Sequence, residues 1–364
     1  MKTYLPGLNT VRFCAALKVL LIHFIFSLSS ETRWHYLGPN AVTMFFVLSG
    51  YLITYRLLLE RQETGRINLK AFYIRRELRI LPLYYLAAIV GGFILPLIGA
   101  PAPSTDAMLT ILFLMPQFTH AYSIPSGVMI PMWSIGVEEV FYLMFPALMR
   151  VLSVTWVSIG VIVTSILLSL IASSPHSSLF LLFPLFRAMR FECMAVGALA
   201  AWLIVSKSRW LFVVYHRVIE VMAIGLLILL TLFNVSLSLP FYDLIFSIVV
   251  AVFLVNISTN PRPILRLEWS WSKAAGELSY GIYIWHFPIL WFFTTILSGL
   301  PLLLATVVGT LIVAWGSYRF IEKPMLGLKD RFQHKPASIK VSADGYGAAQ
   351  AFPSSGTTKS ANHP

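Results

Sequence analysis

Ten apolar stretches, each 17 to 20 residues long, recur from one end of the chain nearly to the other: 8–27, 41–59, 80–99, 135–152, 154–173, 188–205, 218–235, 241–257, 279–297 and 301–320. An α-helix rises 1.5 Å per residue, so a segment of this length matches the roughly 30 Å hydrocarbon core of a bilayer. Backbone amides in lipid must be satisfied within the segment, which leaves helices or a closed barrel. The alternating short strands of a barrel are absent from the pattern, so the expected fold is all-α and polytopic. Composition agrees: charged residues make up 12% of the chain and hydrophobic ones 58%. A soluble globule carries about twice that charge. A shorter apolar piece, 107–118, is too short to cross and reads as re-entrant or interfacial.

The N-terminal run is not read as a signal peptide, because Arg12 and Lys18 lie within it and no small-residue cleavage site follows cleanly. The net charge of +12 does not point to nucleic acid. Lys and Arg gather in alternate loops instead: six lie between 61 and 79, Lys207, Arg209 and Arg217 in one later loop, and Arg262, Arg266 and Lys273 in another. The intervening segments 100–134, 236–240 and 298–300 contain none. By the positive-inside rule both termini are cytoplasmic. Residues 1–325 are expected to form the membrane domain, and 326–364 a polar, disordered tail. Cys14 and Cys193 sit inside apolar segments and read as free thiols, and no Cys/His spacing suits a metal.

Against this apolar background the polar residues carry the information. Arg12 and His23 are eleven residues apart, which returns to nearly the same helix face about 16 Å further along. A packing histidine would explain His23 by itself, but titratable groups at such depth commonly face a polar cavity. Arg75, Arg76 and Arg79 group on one flank of a helix, where guanidinium forks suit phosphate; membrane anchoring is the simpler alternative. Glu138 and Glu139 open another apolar stretch in M-W-S-I-G-V-E-E-V-F-Y (132–142), beside Trp133 and Ser134. Adjacent helical side chains diverge by about 100°, so one carboxylate is free to face a cavity and orient His23 while the other meets a second partner. His286 lies deep in the ninth stretch among Tyr280, Tyr283 and Trp285. Ser49-Gly50 reads as a close helix approach, Arg187/Arg190/Glu192 as a local ion pair, and Arg319/Glu322 as an i,i+3 pair.

In this order the segments resemble the membrane-bound acyltransferase family 3, which includes bacterial O-antigen, exopolysaccharide and nodulation-factor O-acetyltransferases. The resemblance rests on Arg12-x10-His23, F-F-V-L-S-G-Y-L-I (45–53), Arg76-x-x-Arg79, W-S-I-G-V-E-E-V-F-Y (133–142), S-Y-G-I-Y-I-W-H-F-P (279–288) and F-I-E-K-P (320–324). It implies a bacterial inner-membrane enzyme that moves an acyl group from cytoplasmic acyl-CoA, most simply acetyl-CoA, to a hydroxyl of a lipid-linked or cell-surface glycan. No permanently bound cofactor is implied. Arg12 and His23 would be essential and Arg76 and Arg79 would lie near the donor. Glu138 and Trp133 would sit in the active region. On this reading His23 is general base or acyl relay, with Glu138 as its catalytic partner. Arg12, Arg75, Arg76 and Arg79 hold the CoA phosphates, and Trp133, Ser134, Glu139, Tyr280 and His286 line the substrate. One departure is Asn9, where the family often has Asp. Some members carry a fused SGNH-type domain, for which 326–364 is too short. A transporter or flippase using the same polar residues is the alternative from another class.

Overall fold

The computed structural model describes residues 4–28, 38–232 and 241–329. The described chain is helical throughout, with no strand among the described residues. In order the helices are α1 (Leu8–Leu28), α2 (Gly38–Thr64), α3 (Leu69–Ile89), α4 (Thr105–Leu112), α5 (Gln117–Ala121), α6 (Trp133–Val151), α7 (Val154–Ala172) and α8 (Phe183–Met189). They continue with α9 (Phe191–Val205), α10 (Leu211–Val214), α11 (Arg217–Leu232), α12 (Phe241–Thr259), α13 (Ser272–Thr294), α14 (Gly299–Ser317) and α15 (Lys323–Lys329).

Over the described residues each of the ten apolar stretches is mainly helical, with 188–205 broken at Arg190 between α8 and α9. Eight helical segments among the described residues are long and apolar enough to cross a membrane. The other two stretches are α11, with 16 described residues, and α13, whose face is diluted by Ser, Tyr and His. Large side chains such as Leu97, Val151, Leu181 and Phe212 are wide open on the surface. Apolar exposure on this scale suits lipid rather than water. The piece 107–118 folds as two short helices, α4 and α5. Most of the expected tail, 330–364, lies outside the described residues.

The largest departure is the start of α3. The apolar pattern places it at residue 80, yet the helix begins at Leu69, where the Asn68 side chain accepts from the Ala71 N–H. Such an N-cap is worth about 1 kcal/mol. The arginines at 75, 76 and 79 therefore lie within the helix and face the bundle, not beyond its end.

The α2–α9 crossing is closest at two glycines. A Cβ on Gly50 would collide with the Met194 carbonyl, and one on Gly197 with the Val47 carbonyl. Small residues let membrane helices approach this way without a hydrophobic driving force. At the other edge, α1 is held to the α12–α13 connection: the Gly7 N–H donates to Glu268 at 2.7 Å, and the Thr10 hydroxyl to the Leu267 carbonyl at 2.6 Å. These bonds fix the depth of α1 against α13, and hence of His23 against His286.

Candidate active site

Three pockets with common walls run through the bundle between α1, α2, α3, α6 and α13. The first, about 90 Å³, is lined by Arg12, Arg56, Arg75, Arg76 and Arg79 with a single carboxylate, Glu60. Its α2 wall (Ser49, Leu52, Ile53, Arg56, Leu57, Glu60) and α3 wall (Phe72, Arg75, Arg76, Arg79) each follow the three- and four-residue spacing of one helix face. A cationic side chain at a membrane-helix centre costs roughly 3 kcal/mol or more, which explains why these arginines face inward.

Arg75 pairs with Glu60 at 3.2 Å. Arg76 pairs with Glu138 at 3.1 Å, and its guanidinium lies 3.8 Å from the centre of the Tyr142 ring. Among the described residues Arg12, Arg56 and Arg79 form no ion pair. The middle pocket, about 80 Å³, shares Arg12, Ser49, Arg76 and Arg79 with the first and adds Ser134, Glu138, Tyr280 and Tyr283. The Tyr283 hydroxyl donates to the Pro131 carbonyl at 2.9 Å and meets the Ser134 hydroxyl at 2.6 Å.

Tyr283 also lines the third space, a cavity of about 550 Å³ that includes His23, Phe26, Trp133, Phe287 and Trp291. Its surface is aromatic and apolar apart from His23, His120, Arg190 and a few hydroxyls. His120 stacks on Trp133, with ring centres 4.1 Å apart and planes 11° from parallel. Burial, followed by the positive charge of Arg190, pushes the His120 imidazole down to about 4, so this ring is neutral near pH 7.

Glu138 does not orient His23. The carboxylate is occupied by Arg76, the Ser49 hydroxyl at 2.7 Å and the Tyr142 hydroxyl at 2.5 Å. The partner of His23 is His286: Nδ1 of His23 lies 3.1 Å from Nε2 of His286 and 3.0 Å from the Val19 carbonyl. His286 was expected to line the substrate, but it is fully buried and lines none of the three pockets. Glu139 likewise lines none of them and lies beside Glu77 of α3, since it points about 100° away from Glu138. Trp133 lines the large cavity, whereas Ser134 and Tyr280 line the middle pocket.

Other local readings change as well. Arg187 and Arg190 both reach Asp243 of α12, each at 3.6 Å, rather than closing on Glu192. Arg190 separates α8 from α9 with φ at +43°, a left-handed conformation uncommon outside glycine. This turn lets its guanidinium reach both Asp243 and the Thr43 hydroxyl at 3.1 Å. Arg319 is exposed, while Glu322 turns inward within electrostatic reach of Arg79. The two cysteines are free. Among the described residues no His/Cys/Asp/Glu group could hold a metal.

Sequence reasoning missed Arg56 and His120. Arg56 had a signal, being the lone charge inside the apolar stretch 41–59. His120 had little, because its stacking partner Trp133 lies thirteen residues away across a turn.

An all-helical membrane bundle in which a cationic pocket stands in file with an aromatic cavity, with His23 on the cavity wall, has a layout suited to acyl transfer. A family model described as "Acyltransferase domain" matches residues 5–319. The chain belongs to this family, acyltransferase family 3. It is 28% identical over 361 residues to the peptidoglycan O-acetyltransferase OatA of Listeria monocytogenes, covering 89% of this chain and 56% of that protein. It is 27% identical over 355 residues to YrhL of Bacillus subtilis, provisionally named for the same activity, covering 88% of this chain and 55% of that protein. The chain thus spans a little over half the length of these relatives. No solved structure matches it.

Proposed function

We propose that the chain is an O-acyltransferase, in its simplest form an O-acetyltransferase, of the bacterial inner membrane. The donor is cytoplasmic acyl-CoA, and the acceptor is a hydroxyl of a lipid-linked or cell-surface glycan. The observation that carries this reading is the file of pockets from the arginines to His23. The basic loops near the arginine end support a cytoplasmic placement of that end.

CoA bears two anionic groups, a diphosphate and a 3′-phosphate, joined to the thioester by a long narrow arm. Arg12, Arg76 and Arg79 are shared by the first two pockets and suit the diphosphate. Arg56 and Arg75 line only the first pocket and suit the 3′-phosphate. Along α1, His23 lies about 16 Å beyond Arg12, a distance the extended arm spans.

In the large cavity Trp133, Phe287 and Trp291 offer faces for the C–H surfaces of sugar rings. Nε2, the ring nitrogen of His23 that has no partner among the described residues, is available to the acceptor hydroxyl. As the hydroxyl oxygen bonds the thioester carbonyl carbon and the C–S bond breaks, Nε2 takes the hydroxyl proton. It then returns that proton to the thiolate, so the products are an ester and CoA thiol. A positioned base of this kind contributes about 10² to 10⁴ in rate. A two-step relay through an acylated His23 gives the same products. The names of the relatives make peptidoglycan the first acceptor to try.

The test is proton NMR of purified glycan, before and after mild alkali, from cells carrying wild type, His23→Ala or Arg12→Ala at matched membrane levels. Alkali-labile acetyl is expected with wild type and absent with both variants. Acetylation that survives both substitutions would sink this site.

A further inference from the structure

We propose that His286 is a positioning residue that acts through His23. It accepts a hydrogen bond from His23 Nδ1–H, which holds the ring proton on Nδ1 so that Nε2 meets the acceptor as a bare lone pair. The inference rests on the acyl-transfer reading and adds to it a residue and a proton assignment.

The assignment follows from two carbonyl groups, which can only accept. Nδ1 of His286 lies 2.7 Å from the Tyr283 carbonyl oxygen, so that nitrogen carries the hydrogen. A neutral imidazole has one ring proton, which leaves Nε2 of His286 as an acceptor. This Nε2 faces Nδ1 of His23 at 3.1 Å, so His23 donates. The Val19 carbonyl, 3.0 Å from the same Nδ1, demands the same proton position independently. With the opposite tautomer of His23, its Nδ1 lone pair would face the Val19 oxygen and the His286 lone pair together. The two ends of the pair therefore agree on one polarity, which leaves His23 Nε2 unprotonated on a ring that lines the cavity.

His286 is fully buried and lines no pocket, so it touches neither donor nor acceptor. Its work is done on His23. When His23 Nε2 takes the hydroxyl proton, the ring becomes an imidazolium whose Nδ1–H points at the His286 lone pair. A hydrogen bond from a charged donor is roughly twice as strong as a neutral one. The bond thus tightens as charge develops and relaxes once the proton passes to the thiolate, a differential stabilisation that raises kcat rather than substrate affinity. No carboxylate contacts either ring among the described residues, so the pair stays neutral at rest and gains charge only during the reaction.

Two measurements test this on the full chain in lipid nanodiscs. In protein labelled with ¹⁵N-histidine, His23 of the wild type is expected to show a protonated Nδ1 and an unprotonated Nε2, with His23→Asn and His286→Gln assigning the signals. A proton on Nε2 of resting His23 overturns the proposal with no reference to activity. In kinetics with acetyl-CoA and a glycan acceptor, His286→Leu is expected to lower kcat about 100-fold, within the range for general-base assistance, with both KM values unchanged. His286→Gln, whose amide oxygen replaces the Nε2 acceptor, is expected to restore most of that loss. Equal loss in both variants, an unchanged kcat in His286→Leu, or a raised acceptor KM would each refute it. If wild type transfers no acetyl group the functional reading fails, while the tautomer result still decides the histidine pair.

Discussion

The two ends of the pocket file use different physics. At the arginine end a space of about 90 Å³ is walled by five guanidiniums and one carboxylate. At the other end a cavity of about 550 Å³ is walled by aromatic and aliphatic side chains, and its one arginine, Arg190, already leans on Asp243. The first can select a ligand by charge and needs little shape. The second can select only by surface and volume. One consequence is that donor recognition is predicted to depend on single residues, whereas acceptor recognition is spread over several.

Removing a deep arginine is the strongest way to break this contrast. Arg79→Ala is expected to raise the KM for acetyl-CoA about 100-fold, the upper end for a hydrogen bond to a charged group, and to leave the acceptor KM unchanged. Steady-state kinetics with each substrate varied in turn checks this, and a matching rise in acceptor KM would merge the two ends. Arg56→Ala sharpens the contrast within the donor end. Wild type is expected to prefer acetyl-CoA over its analogue lacking the 3′-phosphate by about 10-fold, and the variant to lose that preference, since the residue is solvent-exposed and its bond partly screened. The smallest effect belongs to the cavity. Trp133→Ala is expected to raise acceptor KM about 5-fold, in line with one aromatic contact, without changing donor KM. A larger loss there would mean that one residue dominates the acceptor end after all.

The helices were legible because lipid imposes length and apolarity on every segment, so each of the ten stretches marks a helix. What hid the start of α3 was the pocket: Arg75, Arg76 and Arg79 interrupt the apolar pattern because they face it instead of lipid. The same residues were legible as a group because they share a single helix. Partnerships between helices were not legible. Glu138 was matched to His23 on chemistry alone, but the rotation of α6 delivers it to Arg76, and the imidazole that reaches His23 comes from α13, 263 positions along the chain. The Arg187/Arg190/Glu192 cluster failed for the same reason: proximity in sequence stood in for Asp243, which comes from α12.

The Tyr283 wall has an electrical meaning. Among the described residues it is the one lining residue common to the middle pocket and the large cavity, and its hydroxyl is tied to Ser134 and Pro131. Where water fills the space on both sides of such a partition, a transmembrane voltage falls mainly across it rather than across the full bilayer. Each unit of charge crossing it then meets most of the roughly 2.3 kcal/mol per 100 mV that a whole membrane would impose. An acyl group passing the wall is neutral and feels none of it, whereas the phosphates of the donor would. On the proposed reading, the partition that admits the cargo would act as an insulator toward its carrier.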